Sequence, residues 1–147
     1  MADLKNEILH KTSWGFVEYI PAVPCLRCVI EGFSMSEEVR SRHDLLLQLL
    51  IEKQRHHQTI GLLIDPRKAE ALLEADIEWL MNDWTPRVAQ QGIRYLAVLI
   101  PDDEWARVSV DILQNNVDFQ ENSGVSHKYF QYDEPALTWL KNVLNNN

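Results

Sequence analysis

The 147-residue sequence has no basic run, no apolar stretch of membrane-spanning length, no glycine-rich loop and only two cysteines. Each absence removes a class of function. The formal net charge of −8 and the scarcity of clustered Lys and Arg argue against nucleic acids and anionic membranes, which bind through cations that displace counterions. A transmembrane helix needs about 20 apolar residues in a row, and the sequence offers none. The N-terminus also lacks the basic-then-apolar pattern of a signal peptide. A cytoplasmic location is therefore expected, with the two cysteines as small packing residues. Glycines at 15, 32, 61, 92 and 124 match neither common phosphate-cradling loop. No serine stands between Thr59 and Val108, and no Gly-x-Ser-x-Gly elbow exists.

What is present is the composition of a folded globular protein, 46% hydrophobic and 24% charged with five Trp. One domain over residues 1–147 is expected, with loose ends at 1–6 and 145–147. A chain of this size buries about two-thirds of the surface that its unfolded form exposes, so it needs no disulfide staple. Thr59 to Asp65, Thr-Ile-Gly-Leu-Leu-Ile-Asp, is the organising stretch. An apolar run without polar alternation reads as a strand covered on both faces, as in a parallel sheet with helices above and below. The run ends on a carboxylate and is expected to break at Pro66 and Arg67. Ligands and partners of open α/β sheets gather outside the carboxyl ends of strands, which directs attention to Asp65, Arg67 and the segment to Trp79.

In chain order, Glu7 to Phe33 reads as a short antiparallel meander: Ile8 to His10, Trp14 to Ile20, and Cys25 to Phe33. Ser34 or Ser36 is a candidate cap for the next helix, and Ser34 with Glu37 has capping-box spacing. Glu38 to His57 is the longest helix. Val39, Arg42, His43, Leu46, Leu49, Leu50 and Lys53 share one face, and Leu45, Leu47 and Ile51 widen the stripe beyond it. Such a helix is either sandwiched between the sheet and another element or meets a second subunit, so Leu45, Leu47 and Ile51 are candidates for homodimer contacts. Lys68 to Ala75 is helix-prone but short. A firmer helix runs from about Asp76 to Gln91, kinked near Asp83 to Thr85 by Pro86 and ended by Gly92. Trp79 projects from its polar side. Arg94 to Ile100 is a second doubly apolar strand, parallel to the first. Pro101 to Glu104 supplies a turn, a cap and an acidic first turn for a helix to Asn115 carrying Trp105, Val108, Ile112 and Leu113. Asn116 to Ser126 reads as loop anchored by Val117 and Phe119, His127 to Tyr132 as the last strand, and Asp133 as the cap of a terminal helix.

The chemistry-bearing residues are sparse. Cys25 and Cys28 have the spacing of a redox or zinc motif, but they fall in a strand pattern, where side chains three apart point to opposite faces. They read as packing residues. His56 and His57 diverge on a helix, and His43 is about 21 Å from His57 at 1.5 Å per residue, too far for one metal ion. His43 and Asp44 do not face each other on a helix, so they make no base with its orienting carboxylate. The carboxylates at Glu70, Glu74, Asp76, Glu78 and Asp102 to Glu104 read as caps and solvated surface. Asp65 is most simply a turn former paired with Arg67. Asp65, Arg67, Asp76, Trp79 and Trp84 remain the candidate ligand or partner surface, since Trp and Arg dominate binding hot spots. No cofactor and no metal is expected.

The order of these elements resembles the STAS-type fold of SpoIIAA-like bacterial proteins. The residues carrying it are Leu-Leu-Ile-Asp at 62–65, Asp76 to Trp79 running to Trp84-Thr-Pro86, Gly92 to Val98, and Tyr129 to Ala136 with Trp139 and Leu140. They match a small group of bacterial STAS-like proteins better than the sporulation regulators. In the regulators, a serine after the central strand is phosphorylated to control a partner kinase. Here Pro-Arg-Lys-Ala-Glu-Ala-Leu-Leu-Glu-Ala follows Asp65, with no Ser or Thr before Thr85. The resemblance thus implies a mixed α/β sheet with an N-terminal antiparallel meander, a parallel βαβ centre and about four helices, without the phosphoserine switch. It implies a non-enzymatic regulatory or protein-interaction module, possible as a homodimer. The alternative is a carrier or sensor of a small apolar, lipid-like ligand at the C-terminal end of the sheet.

Overall fold

A computed structural model describes residues 5–56 and 59–146. His57 and most of the expected loose N-terminus therefore lie outside the described residues, as does Asn147. Six strands form one sheet in sequence order: β1 (Glu7–Thr12), β2 (Gly15–Ile20), β3 (Cys25–Gly32), β4 (Gly61–Ala69), β5 (Tyr95–Leu99) and β6 (Ser126–Phe130). The first three strands pair antiparallel as a meander, and β3 through β6 pair parallel. This is the mixed sheet expected from the sequence, with β1 on one edge and β4 and β5 as parallel neighbours at its centre. The β1–β2 turn depends on Gly15, whose φ is 140° and where any Cβ would sit 1.9 Å from the Val29 carbonyl oxygen.

The helices are α1 (Ser36–Gln54), α2 (Glu74–Trp79), a π-helical turn (Leu80–Trp84), α3 (Thr85–Gln90), α4 (Glu104–Gln114), α5 (Val117–Asn122) and α6 (Asp133–Asn145). Residues 74–90 run without a break, so the chain has one helical segment more than the four expected. That extra segment is α5. Asn116 makes it possible by accepting the Phe119 N–H at its N-cap, which turns a polar stretch expected as loop into a helix. Phe119 is buried as an anchor, whereas Val117 is 66% exposed.

Two apolar clusters lie on opposite faces of the sheet. One gathers Leu26, Cys28, Ile30, Leu62, Leu96 and Val98 beneath α1, the π turn and α4. The other gathers Cys25, Leu63, Ala97 and Leu99 beneath Ala136, Leu140 and Leu144 of α6. Cys25 and Cys28 fall in different clusters, as alternation along a strand requires, and both are buried free thiols. Burial pushes each thiol up to about 12. They are packing residues and unreactive at neutral pH.

The structure corrects several sequence expectations. β4 does not break at Pro66; it continues to Ala69, and Lys68 to Leu73 is strand and loop rather than helix, which begins only at Glu74. Pro66 is accommodated where the β3–β4 register slips between Val29 and Glu31, and pairing with β5 has already stopped at Ile64. Trp14 sits in the turn before β2. Neither serine caps α1. Met35 occupies the N-cap, and the Glu38 carboxylate accepts its N–H at 3.1 Å. Tyr132 rather than Asp133 precedes α6 as N-cap. The expected kink before Pro86 takes the form of the π turn, where the Thr85 hydroxyl and backbone N–H both bond to the Leu80 carbonyl. On α4 the large apolar residues are mostly turned out: Trp105, Val108 and Ile112 are exposed, while Ala106, Ser109 and Val110 face the protein. Small side chains let this helix approach closely, and the Ser109 hydroxyl accepts the Leu72 N–H.

Candidate functional site

Between the sheet and its helical cover lies a cavity of about 110 Å³. Ile30, Ile64 and Val98 supply its sheet side, and Leu80, Trp84, Val110 and Leu113 supply its helical side. Pro66 and Pro101 border it, which places it at the carboxyl ends of the parallel strands, where α/β sheets hold their ligands. Its lining is apolar apart from Arg42, His43, Glu70, Thr85, Ser109, His127 and Tyr129.

Most of these polar groups are already committed. His43 is buried, and its Nδ1 lies 2.8 Å from the Val39 carbonyl. Burial drives its pKa down to about 3, helped by the charge on Arg42. His127 is lowered to about 4 by burial, with its Nδ1 on the Val125 carbonyl. Both imidazoles are therefore neutral at pH 7 and serve as polar-tipped packing groups. The Tyr129 hydroxyl accepts from Gln120 Nε2, and burial raises its pKa. Arg42 is different. It is 2% exposed, its Nη1 donates to the Ser34 hydroxyl at 2.8 Å, its guanidinium lies 5.3 Å from the Trp14 ring centroid, and its buried Nε has no acceptor.

On the opposite face, α6 covers the sheet only in part and leaves a groove of about 490 Å³ beside its N-terminus. Here Arg27 Nη2 donates to Asp65 Oδ2 at 2.6 Å, and Arg67 meets the same carboxylate through Nε and Nη2 at 2.9 Å each. Asp133 closes the network, accepting from Arg67 Nη2 at 3.0 Å and approaching Arg27 Nη2 at 3.4 Å. Burial alone would raise the Asp65 carboxyl, but the Arg67 hydrogen bonds and the Arg27 charge outweigh it and hold it below the ordinary carboxylate range. The Asp65 hydrogen bond in turn raises Arg67. Two guanidiniums against two carboxylates form a charge-balanced cluster.

The residues singled out from sequence do not form one surface. Asp65 and Arg67 are joined as a pair, as expected, but Asp65 is 3% exposed. Asp76 is fully buried under the other face, accepting from the Ser36 hydroxyl at 3.0 Å and leaving Oδ1 without a partner. Trp84 is buried, and its Nε1 donates to the His43 carbonyl at 2.7 Å. Asp65, Asp76 and Trp84 are thus buried rather than on the surface, Asp65 lining the groove and Trp84 the cavity. Trp79 is half-buried, with the Arg40 and Arg87 guanidiniums 5.5 and 5.7 Å from its ring centroid. Leu47, proposed for self-association, is a core residue. Ile51 packs partly against the same core, and Leu45 is half-buried.

Sequence reasoning missed Arg42, His127 and Ser109 as cavity residues. Arg42 carried a readable signal: a cation in the middle of an apolar helical stripe, between Val39 and Leu46, has no route to solvent unless the stripe is narrow. His127 and Ser109 gave none, because short strands and small helical residues look alike whether they border a void or a packed core.

Among the described residues, no helix is long and apolar enough to cross a membrane, and no group of three or more His, Cys, Asp or Glu is placed to share a metal ion. No protein-family model and no curated protein matches the chain. Among solved structures, the chain is similar to an uncharacterised protein of the DUF3478 family with a SpoIIAA-like fold from Shewanella loihica PV-4. The two share 16% identity with a TM-score of 0.48, and the match covers 95% of this chain and 98% of the other.

Proposed function

We propose that this chain is a non-enzymatic STAS-like domain that binds a small apolar molecule between its sheet and helices. The observation supporting this reading is the cavity at the strand ends, about 110 Å³ and lined chiefly by aliphatic and aromatic side chains. Largely apolar pockets with a few convergent polar groups are the usual form of small-molecule sites. The size favours a compact ligand, since an apolar cavity of about 150 Å³ is known to stay dry and take up benzene. A long acyl chain would need the helical cover to open. The neutral histidines and the committed hydroxyls argue for binding rather than chemistry, because no group there is poised to exchange a proton near pH 7.

A protein-contact role has separate support in the outward face of α4, where Trp105 is 73% exposed alongside Val108 and Ile112. Surface aromatics of this kind are common binding anchors. The two readings separate experimentally. Toluene is expected to raise the melting temperature of the wild type, and Val110→Phe, which fills the cavity, is expected to abolish that rise. An unchanged melting temperature with saturating toluene would remove the ligand reading and leave the protein-contact role.

A further inference from the structure

We propose that the cavity recognises a carboxylate, its ligand being a short branched acid whose charged end pairs with Arg42. The inference rests on the ligand reading above and specifies the polar end of that ligand. Arg42 is among the largest fully buried side chains and borders the cavity from α1. Three other arginines, Arg27, Arg67 and Arg87, each meet a carboxylate, at 2.6, 2.9 and 2.8 Å. Arg42 forms no such ion pair among the described residues, although it is buried more deeply than any of them. Its neighbour Glu38, one turn earlier on α1, is turned to the Met35 N–H instead. Asp76, the other fully buried charge under this face, bonds to Ser36 and not to Arg42.

A guanidinium held away from solvent without an ion pair is costly to the fold, and burial lowers the basicity of Arg42, the nearby Glu38 charge offsetting only part of that effect. The Ser34 hydroxyl and the Trp14 ring ease that cost without removing it. An incoming carboxylate supplies the missing charge and suits the planar fork of the guanidinium, which pairs with carboxylates through two parallel hydrogen bonds. Nothing else in the cavity competes for the role. His43 and His127 are neutral, and Glu70 is exposed at the rim. An inorganic anion would leave the apolar lining of Ile64, Val98 and Val110 unfilled, and a neutral hydrocarbon would leave Arg42 unpaired. Only a molecule with both features meets both demands. A volume of about 110 Å³ limits its apolar part to a short branched chain or a single small ring.

Isovalerate and its neutral isostere isovaleramide, titrated into the whole chain by calorimetry, provide the test. Isovalerate is expected to bind wild type at least about tenfold more tightly than the amide, a difference of about 1.4 kcal/mol. Arg42→Met is expected to reduce that preference to less than about twofold while still binding toluene, and Arg42→Lys to keep part of it. Equal affinity of acid and amide in wild type overturns the proposal, as does a full preference surviving in Arg42→Met. If Arg42→Met fails to fold, the wild-type comparison decides alone. Toluene binding without an acid preference removes only the role of Arg42. Failure of toluene as well as isovalerate removes the ligand reading on which that role depends.

Discussion

Besides Arg42, three buried ionisable side chains set the chemistry of this molecule at the residue scale, and each is solved differently. Asp65 is neutralised by two guanidiniums, Asp76 is held by a hydroxyl, and His43 is kept neutral. The last solution has a pH signature. A histidine whose folded pKa lies below its unfolded value, about 6.5, is protonated first in the unfolded chain. Its contribution is therefore complete above pH 6.5 and is lost as pH falls toward the folded values of about 4 for His127 and about 3 for His43. The loss approaches about 1.4 kcal/mol per pH unit for each histidine once pH is well below 6.5. Asp65 acts later in the same direction, because its lowered carboxyl stabilises the fold above about pH 3.9 and ceases to do so under stronger acid. Urea midpoints between pH 7 and pH 4.5 should fall accordingly, and His43→Leu should remove about half of the slope. A slope that His43→Leu leaves intact would show that His43 titrates normally in the folded state.

At the scale of elements, α1 shows how a pattern can be read correctly and still leave its cause open. Its broad apolar stripe fits either a sandwiched helix or a subunit interface. The structure accounts for the width within one chain. Leu46, Leu47 and Leu50 enter the sheet-facing core, while the His43 carbonyl takes the Trp84 indole N–H and Arg87 pairs with Asp44 on the helix's other side. Leu47→Glu is accordingly expected to cost at least about 3 kcal/mol by burying a charge without a partner, measured as a lower urea midpoint. A stable Leu47→Glu protein with altered sedimentation would instead restore Leu47 to an interface. The strands β3, β4 and β5 were legible because apolar runs bounded by turns admit few alternatives. α4 was legible as a helix but not in orientation: Trp105, Val108 and Ile112 point outward while the smaller Ala106 and Ser109 point in, because close approach of a helix favours small side chains whatever their hydropathy. α5 was missed because its helix rests on one cap, Asn116, and one anchor, Phe119, rather than on a repeating stripe.

Across the whole molecule, the sheet separates two unlike environments. The face under α6 carries a balanced charge cluster beside an open groove, and the face under α1 and α4 carries an apolar cavity with a single unpaired cation. The sequence directs attention to the end of β4, and there Asp65 belongs to the first face and the cavity to the second. Alternation explains the division: Ile64 faces the cavity, and its neighbour Asp65 faces the groove. Nothing in a single strand pattern reveals which face its helices will leave unfilled, because a void arises from the angles at which several elements meet. The net charge of −8 should also slow the approach of an anionic ligand at low salt, so its association rate should rise with ionic strength. The central claim is that the helix-covered face holds a ligand-sized apolar space. Methyl-resolved NMR during titration with toluene tests it most directly. Saturable shifts are expected at Ile30, Ile64, Val98 and Val110, with Ile20, Val23 and Leu63 on the opposite face unmoved. Absent shifts at the first group, or shifts confined to Val108 and Ile112 on the exposed side of α4, would contradict the account.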